Sequence, residues 1–175
     1  VVIGISATTA DSAGGRELAL GPDDVVRVSD RIASNVPHLE SVVVATCDRT
    51  ELVLGSEHPH GVNVAQAIDV WHGALGIEFT GAPSPCLAAA AHPFVLDGRS
   101  AVEHLLRVAC GLESSLLGDA DILGQLRQAW YSAEATGTAG PVTRAVFRDA
   151  FALGRRARAQ TDISAGGAGV GSAVA

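Results

Sequence analysis

Cys47 is the first residue whose type and position could do chemistry. It follows the apolar run 41–46, which predicts a buried strand, and it opens a short polar turn with Asp48 and Arg49. The end of a rigid strand presents a side chain at the mouth of a cleft, a common place for catalytic residues. A nearby arginine such as Arg49 would favour the thiolate, the nucleophilic form of cysteine. The alternative is an inert structural cysteine at a strand end.

Two further features could contribute acid–base or binding chemistry. His104 lies at the edge of an apolar helical face, and an imidazole can act as general acid or base near neutral pH. A lone histidine there is more often a hydrogen-bonded structural residue. In the segment 111–125, glycines bracket a polar turn, and Asp119 is predicted to cap the helix that follows. The side chains that could line a pocket for a small amino-acid group are Glu113, Ser114, Asp119 and Gln125. A plain helix-turn-helix is the alternative.

Apolar runs and helical repeats predict the elements that must hold these residues. Strands are expected at residues 1–5, 41–46, 50–54 and 94–96, and the second and third of these are expected to be antiparallel. Helices are expected at residues 22–35 and 62–75 and in three amphipathic segments after residue 97, with loops at 6–21 and 76–93. On the second helix, the buried side is predicted to contain Ala65, Ile68 and Leu75. In the second amphipathic segment after residue 97, the predicted apolar face consists of Ile122, Leu123, Leu126, Ala129, Trp130 and Ala133. The order predicts an α+β fold, in which a small mixed or antiparallel sheet with helices is followed by a helical subdomain.

The charge of the chain is unevenly distributed. Its 175 residues carry a net charge of −7, which argues against nucleic acid as a general partner. Residues 1–139 contribute −10 and residues 140–175 contribute +3. Arginine is well suited to phosphate contacts, although such a run is also typical of a solvated helix end. The candidate phosphate-binding residues are Arg144, Arg148, Arg155, Arg156 and Arg158.

Composition restricts the class of protein further. No apolar run approaches the roughly 18 residues that a membrane span needs, so no membrane partner is expected. The three cysteines, Cys47, Cys86 and Cys110, have neither CxxC nor CxxH spacing, so neither a disulfide framework nor a metal site is predicted. Free cysteines are typical of the reducing cytosol, and a cytoplasmic location is therefore expected.

Three segments, taken in order, carry a resemblance to one family. Ala45–Leu52 (ATCDRTEL) resembles the S/A-T-C-N-R-T-E signature of glutamyl-tRNA reductases. Residues 101–109 are similar to that family's A-V-x-H-L-x-R-V-A, and residues 111–125 to its G-L-D-S-x-V-L-G-E-P-Q-I-L-G-Q. Residues 155–163 resemble the segment that closes the family's catalytic domain. The resemblance covers essentially the whole chain and points to the N-terminal, glutamate-recognition domain.

The resemblance also implies a domain organisation. In the family this domain precedes a spinal helix, an NADPH-binding domain and a dimerisation domain. Residues 1–97 are expected to be the α/β part of the catalytic domain, 98–160 its helical part, and 161–175 the start of the spinal helix. Because the chain has no G-x-G-x-x-G after a strand, NADPH is expected to bind to a domain missing from this fragment. The full-length protein is expected to be a homodimer and the fragment a monomer.

The family reduces glutamate, esterified to tRNA(Glu), to glutamate-1-semialdehyde with NADPH, the first step of tetrapyrrole (porphyrin and heme) biosynthesis. By resemblance, Cys47 forms a thioester with the glutamyl group and His104 assists proton transfer. Arg49 binds the substrate's γ-carboxylate, and Glu51 orients Arg49. The other residues implied at the glutamate site are Thr46, Ser114, Asp119 and Gln125. The implied partners are glutamyl-tRNA(Glu) and, for product channelling, glutamate-1-semialdehyde aminomutase.

Several positions depart from the family pattern. The Asn, His and Pro of the family's G-x-N-H-x-T-A-P are absent from residues 4–11, and G-E-P-Q is replaced by Gly-Asp-Ala-Asp at 118–121. Asp48 stands where the signature has Asn, and its charge should raise the pKa of the Cys47 thiol. The chain is therefore expected to be a divergent member or a paralogue with weakened or altered activity. The alternatives are an aminoacyl-tRNA-binding module without turnover, a glutamyl-tRNA esterase, and an α+β domain without a site. The arginine-rich segment 144–158 best supports the first, and the candidate tRNA-binding residues are Arg144, Arg148, Arg155, Arg156 and Arg158.

Overall fold

The computed structural model describes residues 1–6, 20–58, 60–75 and 93–163. The strands in these ranges are β1 (Val2–Ser6), β2 (Glu40–Ala45), β3 (Arg49–Gly55) and β4 (Phe94–Leu96). The helices are α1 (Pro22–Asn35), α2 (Val64–Leu75), α3 (Gly98–Cys110), α4 (Ile122–Ala135) and α5 (Pro141–Gln160). Most of the loops predicted at residues 6–21 and 76–93 lies outside the described residues. No helix in the described ranges combines the length and apolar character needed to cross a membrane.

The strands form one sheet with the order β2-β3-β1-β4, and every neighbouring pair is antiparallel. Alternate residues of a strand point to opposite faces, so the sheet has two sides to cover. One side packs its apolar residues against α1 and α2, and the other packs against α3, α4 and α5. The predicted α+β fold with a small antiparallel sheet is therefore confirmed. The structure adds that α3, α4 and α5 form a layer on the face of the sheet opposite α1 and α2.

The buried sides of two helices show where the sequence patterns succeeded and failed. On α4, the structure buries all six residues of the predicted apolar face: Ile122, Leu123, Leu126, Ala129, Trp130 and Ala133. On α2 it buries a set with helical spacing: Ala67, Val70, Trp71 and Ala74. The predicted face of α2 was wrong, since Ala65 is exposed and Ile68 and Leu75 are only half-buried. Trp71 is fully buried, and the large apolar area of its indole determines which side faces the sheet.

Polar contacts at both ends hold α5 in place. At its start, the Glu40 carboxylate accepts backbone N–H bonds from Val142 at 3.1 Å and Thr143 at 2.7 Å. A carboxylate suits the positive end of the helix dipole, so this contact ties α5 to β2. Near its end, Arg158 donates to the carbonyl oxygens of Ala109 at 2.8 Å and Asp119 at 2.7 Å. These bonds tie α5 to the end of α3 and to the loop that follows it.

Gly154 lets α5 approach α3 closely, and we expect its replacement to destabilise the fold. A Cβ at this position would lie 2.6 Å from the Ala109 carbonyl oxygen and 2.7 Å from Leu123 Cδ2. Overpacking of this kind costs about 1–3 kcal/mol, and the better helix propensity of alanine returns about 1 kcal/mol at most. We therefore predict that Gly154→Ala lowers the free energy of unfolding measured in urea.

The matched control is Gly73→Ala on α2, where an added Cβ meets no atom within 4 Å. This variant should be neutral or stabilised by up to about 1 kcal/mol. Equal stability changes for the two variants would contradict the packing of α5 on α3 described above.

Candidate active site

Cys47 and Asp48 are the central residues of the turn that joins β2 to β3. The Thr46 N–H donates to the Arg49 carbonyl oxygen at 2.9 Å and closes the turn. Two-residue hairpin turns usually need residues with positive φ, but among the described residues only glycines have one. Side chains hold the turn instead: the Asp48 N–H donates to Thr46 Oγ1 at 3.1 Å, and Asp48 Oδ2 accepts the Ser115 N–H at 3.0 Å. Cys47 is left exposed at the tip.

A buried ion network lies on β3, just after this turn. The Glu51 carboxylate is 0% exposed, and its Oε1 accepts a hydrogen bond from Arg49 Nη1 at 2.9 Å. His104 Nε2, on α3, lies 3.1 Å from both Glu51 oxygens. An ionised carboxylate only accepts, so the Nε2 of His104 carries a proton in this contact. The sequence analysis paired Glu51 with Arg49, and the structure adds His104 to the same network.

The other terminal nitrogen of the Arg49 guanidinium, Nη2, contacts the loop between α3 and α4. It donates to the Glu113 carbonyl oxygen, and the Glu113 side chain pairs with Arg107. Gly111 and Gly118 take left-handed conformations, with φ of 77° and 79°, and the Gly118 N–H donates to the Gly111 carbonyl at 2.9 Å. The loop is therefore a closed unit attached to the site. Arg49 is only 1% exposed, and its buried Nε has no hydrogen-bond partner among the residues that the structure describes.

Gly4 and Phe94 belong to this site, although the sequence analysis did not select them. In the register of the sheet, Gly4 faces Glu51 on β3 and Phe94 on β4. A Cβ on Gly4 would lie 2.8 Å from Glu51 Cγ and 2.5 Å from the Thr50 carbonyl oxygen. The Phe94 ring packs edge-on against His104, with 5.4 Å between centroids. A glycine inside a strand often marks such a close approach, and that signal was available in the sequence.

The remaining predicted site residues take different positions. Ser114 is half-buried in the 111–121 loop, and Gln125 lines a groove between α1 and α4 together with Ala45. The prediction that Asp119 caps α4 was wrong, because that helix begins at Ile122 and Asp121 is its N-cap residue. Asp119 instead accepts the Asp121 N–H at 2.9 Å and stabilises the preceding turn.

The environment of Cys47 disfavours its thiolate. Partial burial raises the pKa of the Cys47 thiol above its ordinary value of 9.0, and the negative charges of Asp48 and Asp119 raise it further. The direction expected for Asp48 is therefore found. The suggestion that Arg49 favours the thiolate is not supported, because its guanidinium turns inward to Glu51 and Glu113. The turn thus exposes the Cys47 thiol in surroundings that disfavour its thiolate.

Replacing Asp48 by asparagine should shift the reactivity of Cys47 to lower pH. Asparagine keeps an oxygen that can accept the Ser115 N–H, but it removes a negative charge that lies next to the sulfur. Since a like charge disfavours the thiolate, its removal lowers the pKa of Cys47. The measurement is the rate of iodoacetamide alkylation at Cys47 against pH, resolved by peptide mass spectrometry.

Asp119→Asn is the matched control and should shift the profile in the same direction by less, because Asp119 contributes less to the raised pKa. An Asp48→Asn profile that stays in place or moves to higher pH would contradict this electrostatic account.

Comparison with known proteins places this geometry in a family. The family model described as "Glutamyl-tRNAGlu reductase, N-terminal domain" matches residues 3–161. The chain is 34% identical over 170 residues to a glutamyl-tRNA reductase of Frankia alni, covering 97% of this chain and 34% of that protein. It is 35% identical over 176 residues to a glutamyl-tRNA reductase of Salinispora arenicola, covering 97% of this chain and 36% of that protein.

A solved structure gives the same result at the level of the fold. The glutamyl-tRNA reductase from Methanopyrus kandleri superposes with a TM-score of 0.72 at 31% identity, covering 98% of this chain and 37% of that chain. The chain thus spans about a third of the length of the relatives it matches. The sequence motifs, the antiparallel α+β fold and these matches agree, and the chain belongs to the N-terminal domain family of the glutamyl-tRNA reductases.

Proposed function

We propose that this chain is the substrate-binding, thioester-forming part of an NADPH-dependent glutamyl-tRNA reductase. That enzyme would convert the glutamyl group of glutamyl-tRNA(Glu) to glutamate-1-semialdehyde in the first step of tetrapyrrole biosynthesis. One observation carries the proposal: an exposed cysteine, Cys47, sits at the tip of a turn beside the buried network of Arg49, Glu51 and His104. The names of the relatives support the same activity.

The chemistry explains why a cysteine is needed. The Cys47 thiolate attacks the carbonyl carbon of the aminoacyl ester, so that a C–S bond forms and the C–O bond to the ribose breaks. The ribose oxygen leaves with the electron pair and takes up a proton. Sulfur donates less electron density to a carbonyl than oxygen does, so the resulting thioester accepts a hydride more readily than the ester.

The network suggests roles for its members. Glu51 contacts His104 Nε2, and we propose that the other ring nitrogen, Nδ1, takes up the proton of the thiol. Arg49 has the planar fork that suits the substrate's γ-carboxylate, but it is buried and bound to the Glu113 carbonyl. We therefore propose that the 111–121 loop moves when substrate binds. The residues proposed around the glutamyl group are Thr46, Ser114, Asp119 and Gln125.

The described residues do not fit a dinucleotide site. Such sites form at a glycine-rich turn between a parallel strand and a helix, whereas this sheet is antiparallel throughout. We propose that NADPH binds to a part of the longer enzyme outside these 175 residues, and the steps derived for this chain end at the thioester.

Other assignments extend the proposal to the whole protein. We propose a cytoplasmic enzyme that is a homodimer at full length, with this chain alone monomeric, and that passes its product to glutamate-1-semialdehyde aminomutase. Residues 1–97 and 98–160 would be the two parts of the catalytic domain, and 161–175 would begin the spinal helix. Helix α5 ends at Gln160, and residues 164–175 lie outside the described ranges.

Covalent capture tests the proposed function. The chain is incubated with glutamyl-tRNA(Glu), quenched in acid and digested, and its peptides are searched by mass spectrometry for a glutamyl adduct. We expect the adduct on Cys47, its absence in Cys47→Ser, and its retention in the matched control Cys110→Ser, because Cys110 is buried away from solvent.

The other outcomes identify the alternative functions. Retained tRNA binding with neither an adduct nor released glutamate would contradict the proposal and leave a binding module. Steady release of glutamate that depends on Cys47 would show an esterase activity of the isolated chain, in which water takes the thioester.

A further inference from the structure

Exposed arginines on α5 face a groove against α4. Arg144, Arg148 and Arg155 are four and seven residues apart, which brings them to one side of the helix. They line the groove with Trp130, Tyr131, Glu134 and Phe151. Within residues 140–175 the net charge is +3, although the whole chain carries −7. The lining of the groove itself holds three arginines and one carboxylate, that of Glu134, so it is locally positive on an acidic chain and can attract a polyanion.

An exposed aromatic ring stands in the same groove. Tyr131 is 59% exposed, so its ring is open to a ligand that enters the groove. Behind it, the rings of Trp130 and Phe147 lie 5.5 Å apart, and those of Phe147 and Phe151 lie 5.9 Å apart. An aromatic ring beside arginines is the combination that stacks bases and binds phosphates in RNA-binding surfaces.

The arginines in the groove are available to a ligand. Arg144 is 3.8 Å from Glu134 and Arg148 is 2.9 Å from Asp149, and the side chains of both pairs are exposed. Exposed pairs of this kind are weak and can be exchanged for a phosphate contact. Arg155 makes no hydrogen bond or ion pair within the part of the chain that the structure describes.

Two of the five arginines that the sequence selected do not line the groove. The Arg158 guanidinium donates to backbone carbonyls of α3, α5 and the 111–121 loop, and it holds the fold together. Arg156 is exposed and donates to Gln160 Oε1 at 3.0 Å. The structure thus reduces the candidate phosphate contacts to Arg144, Arg148 and Arg155.

We propose that this α4–α5 groove docks RNA, with phosphates on its three arginines and an unstacked base on Tyr131. The inference rests on the proposed function only for the identity of the RNA, which would be the tRNA moiety of the substrate. Cys47 lies in a different part of the fold, at the β2–β3 turn, so the groove would bind a part of the tRNA other than its reacting end.

The test is the binding of fluorescently labelled, unacylated tRNA(Glu) by fluorescence anisotropy at several salt concentrations. Arg155→Gln and Arg156→Gln remove the same charge from adjacent positions, but only the first changes the groove. We expect Arg155→Gln to weaken binding several-fold and to reduce the slope of log K against log salt by about 0.9. Tyr131→Ala should weaken binding roughly tenfold or more through lost stacking. Arg156→Gln and Tyr131→Phe should stay within about twofold of the unmodified chain.

Several results would overturn the proposal that the α4–α5 groove binds RNA. They are no binding of tRNA by the unmodified chain, equal losses for Arg155→Gln and Arg156→Gln, and unchanged binding by Tyr131→Ala. A change in the sedimentation of the chain alone with Tyr131→Ala would show that the face is a self-interface instead. Binding of poly-glutamate with the same dependence on Tyr131 would assign the groove to an acidic protein.

The adduct assay separates failure of the groove from failure of the proposed function. If Cys47 is acylated at an unchanged rate in Tyr131→Ala at subsaturating glutamyl-tRNA, the groove does not bind the tRNA. The proposed thioester chemistry then stands without it. If neither the unmodified chain nor any variant is acylated, but Tyr131→Ala and Arg155→Gln still weaken tRNA binding, the reductase proposal fails. RNA binding by the groove then stands.

Discussion

The site depends on one buried carboxylate, that of Glu51. Removing a charged group from water costs several kcal/mol, and a buried ion is tolerated only where partners satisfy it. Arg49 and His104 provide those partners, from the same strand and from the facing helix. The register of β1 against β3 is part of the same constraint, since Gly4 leaves the space that Glu51 occupies. A slip of one residue would send Glu51 to the opposite face of the sheet, among the apolar side chains that pack on α1 and α2.

The same constraint links the turn that holds Cys47 to the helical layer. Arg49 begins β3 directly after the Cys47–Asp48 turn, and it holds the 111–121 loop through the Glu113 carbonyl. Asp48 makes a second connection to that loop at Ser115. The position of Cys47 is thus defined from both sides of the turn, while its charge environment is unfavourable for a thiolate. The chain keeps the cysteine of the family signature but has an aspartate where that signature has asparagine, so Cys47 is held in place while its thiolate is disfavoured.

Local patterns predicted the elements well, and long-range packing explains most of what they missed. The apolar spacing of α4 gave its buried face correctly because a single strong stripe faces the sheet. On α2, apolar residues occur on more than one side, and only the packing of Trp71 selects between them. Sequence spacing could not show that Arg158 binds the Ala109 and Asp119 carbonyls, because those partners are 49 and 39 residues away. The motif suggested the contact of Glu51 with Arg49, but only the fold shows that His104, 53 residues away, contacts Glu51 as well.

The most direct test of the central claim is a double-mutant cycle at the buried pair, measured by urea unfolding. Glu51→Gln leaves the Arg49 charge buried without its counterion, and we predict a loss of about 3–5 kcal/mol of stability. Arg49→Met leaves the buried Glu51 carboxylate without its arginine partner, whereas the double variant removes both charges. The account predicts that the double variant loses less stability than the sum of the two single losses, by about 1 kcal/mol or more. Additive losses would mean that the Glu51 carboxylate does not organise this site.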